Sequence, residues 1–240
     1  MKQTARKSVR GVLLLAGIIS ANIAQAVGIP GQGTWETTLS ARDLDGDTST
    51  IEAYFDLDLG ITWLANANAA GVKMNWGMAT SWADAFSLGG YTNWRLPNVV
   101  DTGSPGCDEA FSGTDCGWNV DLTTGEMAHM FYATLDNTPR RDTSGTLLVD
   151  YGLSNTGPFS NLMEDPYWTG LTYAPDNTKA WYFNNVGGYQ GDFPKTAEFY
   201  AWAVHDGDIG TAVIPVPAAM WLFGSGLLGL AGFGLRRNRV

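Results

Sequence analysis

The stretch Tyr54-Phe55-Asp56-Leu57-Asp58-Leu59-Gly60-Ile61-Thr62-Trp63-Leu64 decides the fold class. Apolar and β-branched residues alternate on both sides of an Asp/Gly turn, which is the pattern of a β-hairpin. The period then changes. Asn75 stands at an N-cap position, Ala79, Trp82, Ala83 and Phe86 recur at helical spacing, and Gly89-Gly90 stops the run, so a helix is expected from 76 to about 88. Tyr91 to Pro97 reads as a compact loop or short strand, and 98–122 as a polar, Gly-rich excursion. A second helix is expected from Thr123. Glu126 completes a capping box with it, and Met127, Met130, Phe131, Thr134 and Leu135 share one face. Residues 136–166 are loop-rich. Aromatic strands are expected at 167–169, 179–184 and 199–204, separated by turns such as Asn185-Val186-Gly187-Gly188. Two helices, short antiparallel strands and long loops make an α+β fold.

Charge divides the chain into three parts. The 240 residues carry a net charge of −10, but seven of the 14 basic residues lie at the ends: Lys2, Arg6, Lys7, Arg10, Arg236, Arg237 and Arg239. All 24 acids lie between those ends with the other seven bases, a net of −17. Such a surface repels polyphosphate, so nucleic acid is not an expected partner. A chain with 16% charged residues, 12% aromatics and 30 glycines is neither disordered nor a long helix.

Each end reads as an address. A basic start, the apolar run 11–19 and the small residues of Ala24-Gln25-Ala26 predict a signal peptide over 1–26, cleaved by signal peptidase after Ala26. Residues 218–235 carry no charge and are just long enough for a transmembrane helix. Arg236 and Arg237 follow and would keep the C-terminus cytoplasmic, with the preceding domain facing outward. The order Pro215-Val216-Pro217, apolar run, Arg cluster resembles the PEP-CTERM sorting signal over 213–240, with Val216 where that family usually has Glu. The resemblance implies an exosortase as partner. It also implies an inner-membrane intermediate, then delivery to the cell surface or extracellular matrix of a Gram-negative bacterium.

Cys107 and Cys116 are the only cysteines and lie nine positions apart in a turn-rich segment. In an exported protein a local disulfide is the default reading, with a stabilisation of about 2–3 kcal/mol for so short a loop. Asp43, Asp45 and Asp47 place three carboxylates at alternate positions, a calcium site or a solvated acidic turn, with Glu52 or Asp56 available to close it. No other cofactor is expected. Glu126 and His129 lie one helical turn apart, but a metal would need further ligands and the only other histidine is His205, so packing or a local hydrogen bond is the expected role. Asp206 and Asp208 are paired carboxylates of the kind that serve acid/base chemistry, or surface acids in a turn. The chain has no Gly-x-Ser-x-Gly elbow and no visible nucleophile arrangement.

The hairpin ending in Thr62-Trp63-Leu64, the first helix, Asn93-Trp94-Arg95-Leu96-Pro97, Glu126-x-x-His129-Met130, Tyr167-Trp168-Thr169-Gly170 and Trp202-Ala203-Val204-His205-Asp206-Gly207-Asp208 occur in that order. Together they resemble the Lcl C-terminal domain family, with His205 where the family usually has Arg. The resemblance spans about 50–209 and implies a C-type-lectin-like globular domain over 27–212 with a surface-binding role. Ten Trp and nine Tyr suit sugar stacking. Trp63, Trp82, Trp181 and Trp202 lie on patterned elements and are expected in the core. Trp118, Tyr151, Tyr173 and Tyr189 lie in expected loops and are the candidate ligand-binding residues. The expected activity is non-enzymatic binding of a polysaccharide or surface partner. The strong negative charge favours a neutral or basic glycan, or an acidic one bridged by calcium. An exported enzyme on the same fold, or a purely structural matrix protein, are the alternatives.

Overall fold

Asp56 makes the expected hairpin. Its Oδ1 accepts the N–H groups of Asp58 (3.0 Å) and Leu59 (3.1 Å), which closes the turn. Its Oδ2 takes the Trp63 indole N–H at 3.3 Å, which fixes the ring beneath the turn. The computed structural model describes residues 32–102 and 110–213. Ala26, Cys107, Pro215, Val216, Pro217, the apolar run 218–235, Arg236 and Arg237 lie outside the described residues, as does the pairing of Cys107 with the buried Cys116. Among the described residues no helix is long and apolar enough to cross a membrane.

The described chain runs α1 (Trp35–Thr38), β1 (Leu39–Asp43), β2 (Ala53–Asp56), β3 (Ile61–Leu64), α2 (Trp76–Ala85), β4 (Trp94–Arg95), β5 (Gly117–Trp118), α3 (Glu126–His129), β6 (Pro166–Thr172), β7 (Lys179–Asn184), β8 (Tyr189–Pro194), β9 (Val204–Asp206) and β10 (Thr211–Ala212). The strands form two antiparallel sheets, ordered β10-β1-β2-β3-β9-β4 and β5-β8-β7-β6. Few helices and two antiparallel sheets make the fold mixed, as an α+β reading requires. Late strand β9 pairs with both β3 and β4 and so closes the first sheet around early elements.

The core is aromatic. Trp63, Trp94, Trp168, Trp181 and Trp202 are all buried. Trp63 and Trp202 meet at 4.5 Å between ring centroids, and the Trp202 indole donates to the Leu64 carbonyl at 2.7 Å. Met127, Met130, Phe131 and Leu135 pack into the same cluster with Phe183. Of the four tryptophans expected in the core, Trp82 is only partly covered, packed against the rim of that cluster.

Three expectations need correction. First, α2 begins as expected, with Asn75 Oδ1 accepting the Met78 N–H at 3.0 Å, but ends at Ala85. Phe86 turns extended to set its ring edge-on to Trp94 at 5.6 Å. Second, no helix starts with a Thr123–Glu126 capping box. Leu122–Thr124 is a 3₁₀ turn capped by Asp121, Gly125 is extended, and α3 starts at Glu126 and passes into a π-helical turn at Met130–Thr134. The Glu126 carboxylate is drawn instead to Arg95 and the Asn98 N–H. Third, 199–204 is not one strand. Tyr200 lies beside Tyr167 of the second sheet, its carbonyl accepting from Trp168 N–H, while the Ala203 carbonyl accepts from Leu64 N–H of the first. The segment bridges the two sheets and so belongs to neither until Val204. Conversely, β8 was not expected, because Gly191 and Asp192 interrupt its apolar pattern.

Candidate functional site

The β7–β8 hairpin builds the candidate site. Side chains alternate across a strand. Trp181, Phe183 and Gln190 therefore face inward and are buried, while Tyr182, Asn184, Tyr189 and Phe193 point to the other face. Trp118 of β5 lies directly opposite Tyr189. The end of this face near Trp168 is covered by Phe199, whose ring is 4.5 Å from that of Trp168. Beyond Phe199 the face carries a cleft of about 360 Å³ lined by Trp118, Arg140, Tyr182, Asn184, Val186, Gly187, Tyr189, Asp192 and Phe193.

Aromatic rings succeed one another along the cleft. Centroid separations are 5.9 Å for Phe111–Trp118, 4.8 Å for Trp118–Tyr189, 6.0 Å for Tyr189–Tyr182 and 5.8 Å for Tyr182–Phe193. Two glycines shape it. A Cβ on Gly191 would lie 2.4 Å from Tyr189 Cε1, so only glycine lets that ring lie along the strand. A Cβ on Gly187 would lie 2.8 Å from Arg140 Cβ, so the arginine stem rests on a bare turn. Tyr132 supports the cleft from below. Its hydroxyl donates to the Gly188 carbonyl and accepts the Asn119 N–H at 2.9 Å, and burial pushes its pKa up to about 12. The carboxylate of Asp192 turns to the opposite face, where it meets Lys179 at 2.7 Å and raises the lysine's pKa.

Of the four aromatic candidates, the fold brings Trp118 and Tyr189 together. Tyr151 sits at the margin, with the Arg140 guanidinium 5.7 Å above its ring. Tyr173 does not belong to the site: it is only 7% exposed and packs edge-on to Trp181 at 5.4 Å. Tyr182, Phe193, Asn184 and Arg140 were not singled out from sequence. Trp181-Tyr182-Phe183 is aromatic at every position, so no alternation marks Tyr182 as the outward one. Arg140 carries no signal of any kind.

The acidic candidates are otherwise arranged. Asp43 and Asp45 converge with Glu52, not with Asp47, their carboxylate oxygens lying within 4.8 Å of one another. Asp47 curls onto Ser49 instead, which lowers its pKa. Backbone N–H groups already hydrogen-bond to this cluster: Asp43 Oδ1 accepts from Asp45 and Gly46, and Glu52 Oε2 from Leu44. Three carboxylates fall short of the six or more oxygens that calcium takes.

Asp206 and Asp208 are separated by two arginines. Asp208 takes Arg42 through two contacts, at 2.6 and 3.0 Å. Asp206 takes Arg95, which also grips Glu126 through two parallel bonds of 2.8 Å. Burial works against the Arg95 charge, but Glu126 and Asp206 outweigh it, and its pKa is raised. His129 contacts Thr134 at 3.3 Å and has no bond to Glu126, while His205 lies edge-on to Trp94. Comparison with protein-family models, with curated proteins and with solved structures finds no match to this chain.

Proposed function

We propose that this chain is an exported, non-enzymatic binding protein with a C-type-lectin-like domain that holds polysaccharide in the cleft on its four-stranded sheet. One observation carries the reading: Trp118, Tyr189, Tyr182 and Phe193 line one open cleft, beside the polar Asn184 and Arg140. Aromatic faces suit the apolar C–H faces of pyranose rings, and a few polar groups among them orient a ligand. A binding role is favoured over acid/base chemistry because Asp206 and Asp208 are each committed to an arginine.

Export is supported by the sequence at both ends. Signal peptidase acts after Ala26, the run 218–235 holds the domain at the inner membrane, and an exosortase acts at Pro215-Val216-Pro217 to release it to the surface or matrix. The test of binding is a glycan array probed with the full-length protein in detergent, with and without calcium. Wild type is expected to bind polysaccharides that Trp118→Ala and Tyr189→Ala bind about tenfold more weakly, the loss of one stacked ring. Failure of every glycan to bind ends the proposal. Intact mass of the exported protein tests the sorting: a mass that still includes 218–240 contradicts release.

A further inference from the structure

Positive charge is distributed unevenly around the cleft. Seven basic side chains lie between residues 32 and 213. Arg42, Lys73, Arg95 and Lys179 each pair with a carboxylate. Lys195 donates to Thr172 at 3.0 Å and lies over Trp76. The two remaining bases, Arg140 and Arg141, are adjacent in sequence, and only Arg140 is among the residues lining the cleft. Arg141 is used structurally: it donates to the Gly145 carbonyl at 2.7 Å and lies 5.5 Å over Trp118. Arg140 is exposed, lines the cleft, and makes no ion pair among the described residues. In a domain with more than three acids for every base, a cation left without a carboxylate beside a row of aromatic rings calls for a partner from outside.

We infer that Arg140 receives the carboxylate of a uronic-acid residue within the bound polysaccharide, while neighbouring sugars rest on the aromatic rings. The inference rests on the polysaccharide reading above and specifies its ligand. A guanidinium presents a planar fork of donors that matches the two oxygens of a carboxylate. Tyr151 under the guanidinium and Gly187 under its stem hold that fork at the rim. The ligand is sparsely charged. One guanidinium lines the cleft, and the net charge of −17 around it repels a chain dense in anions. The domain's overall charge therefore does not set the sign at its binding cleft.

The test is calorimetric titration of full-length protein in detergent with two probes. One is a xylotetraose carrying a single glucuronic acid, and the other is the same molecule with its carboxyl reduced to the alcohol. Wild type is expected to favour the acid about tenfold. In Arg140→Gln that preference falls to near one, and Arg140→Lys, which keeps the charge without the fork, retains part of it. Equal affinity of wild type for the two probes overturns the inference but leaves the polysaccharide reading standing, as does a preference that survives in Arg140→Gln. If neither probe binds, the titration is repeated with an array-positive glycan that carries a uronic acid and with its carboxyl-reduced form. A set of array-positive glycans with no uronic acid among them overturns the inference and leaves the polysaccharide reading standing, and an array with no positive glycan ends both.

Discussion

Gly191 and Asp56 show how much a single residue decides in this domain. A methyl group at Gly191 meets the Tyr189 ring at 2.4 Å, so Gly191→Ala must push that ring out of the row. The expected outcome is weakened glycan binding together with an overpacking loss of about 1–3 kcal/mol, read by titration and by urea unfolding. A variant with wild-type affinity would remove Tyr189 from the site. Asp56 is buried to 0% exposure, and burial raises its pKa against the pull of two backbone N–H groups and His129. The sign follows from linkage. The stability that Asp56 contributes is fully present below the unfolded carboxyl value of about 3.9 and is lost as pH rises through the raised folded value. The stability of wild type relative to Asp56→Asn is therefore expected to shrink from about pH 4 towards neutrality, measured by urea midpoints across that range. Asp56 was legible as a turn residue. Its burial was not, because that depends on what packs above the turn.

The elements differ in how far their own sequence specifies them. α2 is local in origin: its cap, its apolar spacing and its start lie within a dozen residues. Asn75→Ala, which removes the bond to the Met78 N–H, is expected to cost about 1 kcal/mol in thermal or urea unfolding. α2 ends at Ala85, before its apolar spacing does, because Phe86 leaves the helix to reach Trp94, a contact outside the helix's own sequence. The same holds for Glu126, which carries a capping-box signature but is claimed by Arg95. The β7–β8 turn is closed by Asn184, which accepts the Val186, Gly187 and Gly188 N–H groups, and is also held from outside the hairpin by Tyr132. Tyr132→Phe leaves the buried Gly188 carbonyl and the Asn119 N–H without that partner. A loss of about 1–3 kcal/mol is expected, with weaker glycan binding as the turn beside Tyr189 loosens. Unchanged stability would mean that water replaces the phenol.

At the scale of the whole molecule, Arg95 joins parts of the chain that are 31 and 111 residues apart. Its guanidinium ties β4 to α3 through Glu126 and to β9 through Asp206. Arg95→Ala leaves the half-buried Glu126 carboxylate uncompensated, and a loss of about 2–4 kcal/mol is expected, below the cost of breaking a fully buried pair because Asp206 is exposed to water. A cooperative fall in Tm checks it, and a change below 1 kcal/mol would make the network incidental. The sequence by itself determined the central hairpin, the start of α2, the buried face around Met127 and Phe131, and a mixed architecture with an aromatic core. Those features are written in spacings of two to four residues, and caps, turns and periodic apolar faces act over that range. The tertiary structure alone decided that Tyr173 is buried, that Glu52 replaces Asp47 beside Asp43, and that Tyr182, Phe193 and Arg140 join Trp118 and Tyr189 in one cleft. Strand order and register set those meetings, and they bring together residues whose separation along the chain carries no local signal.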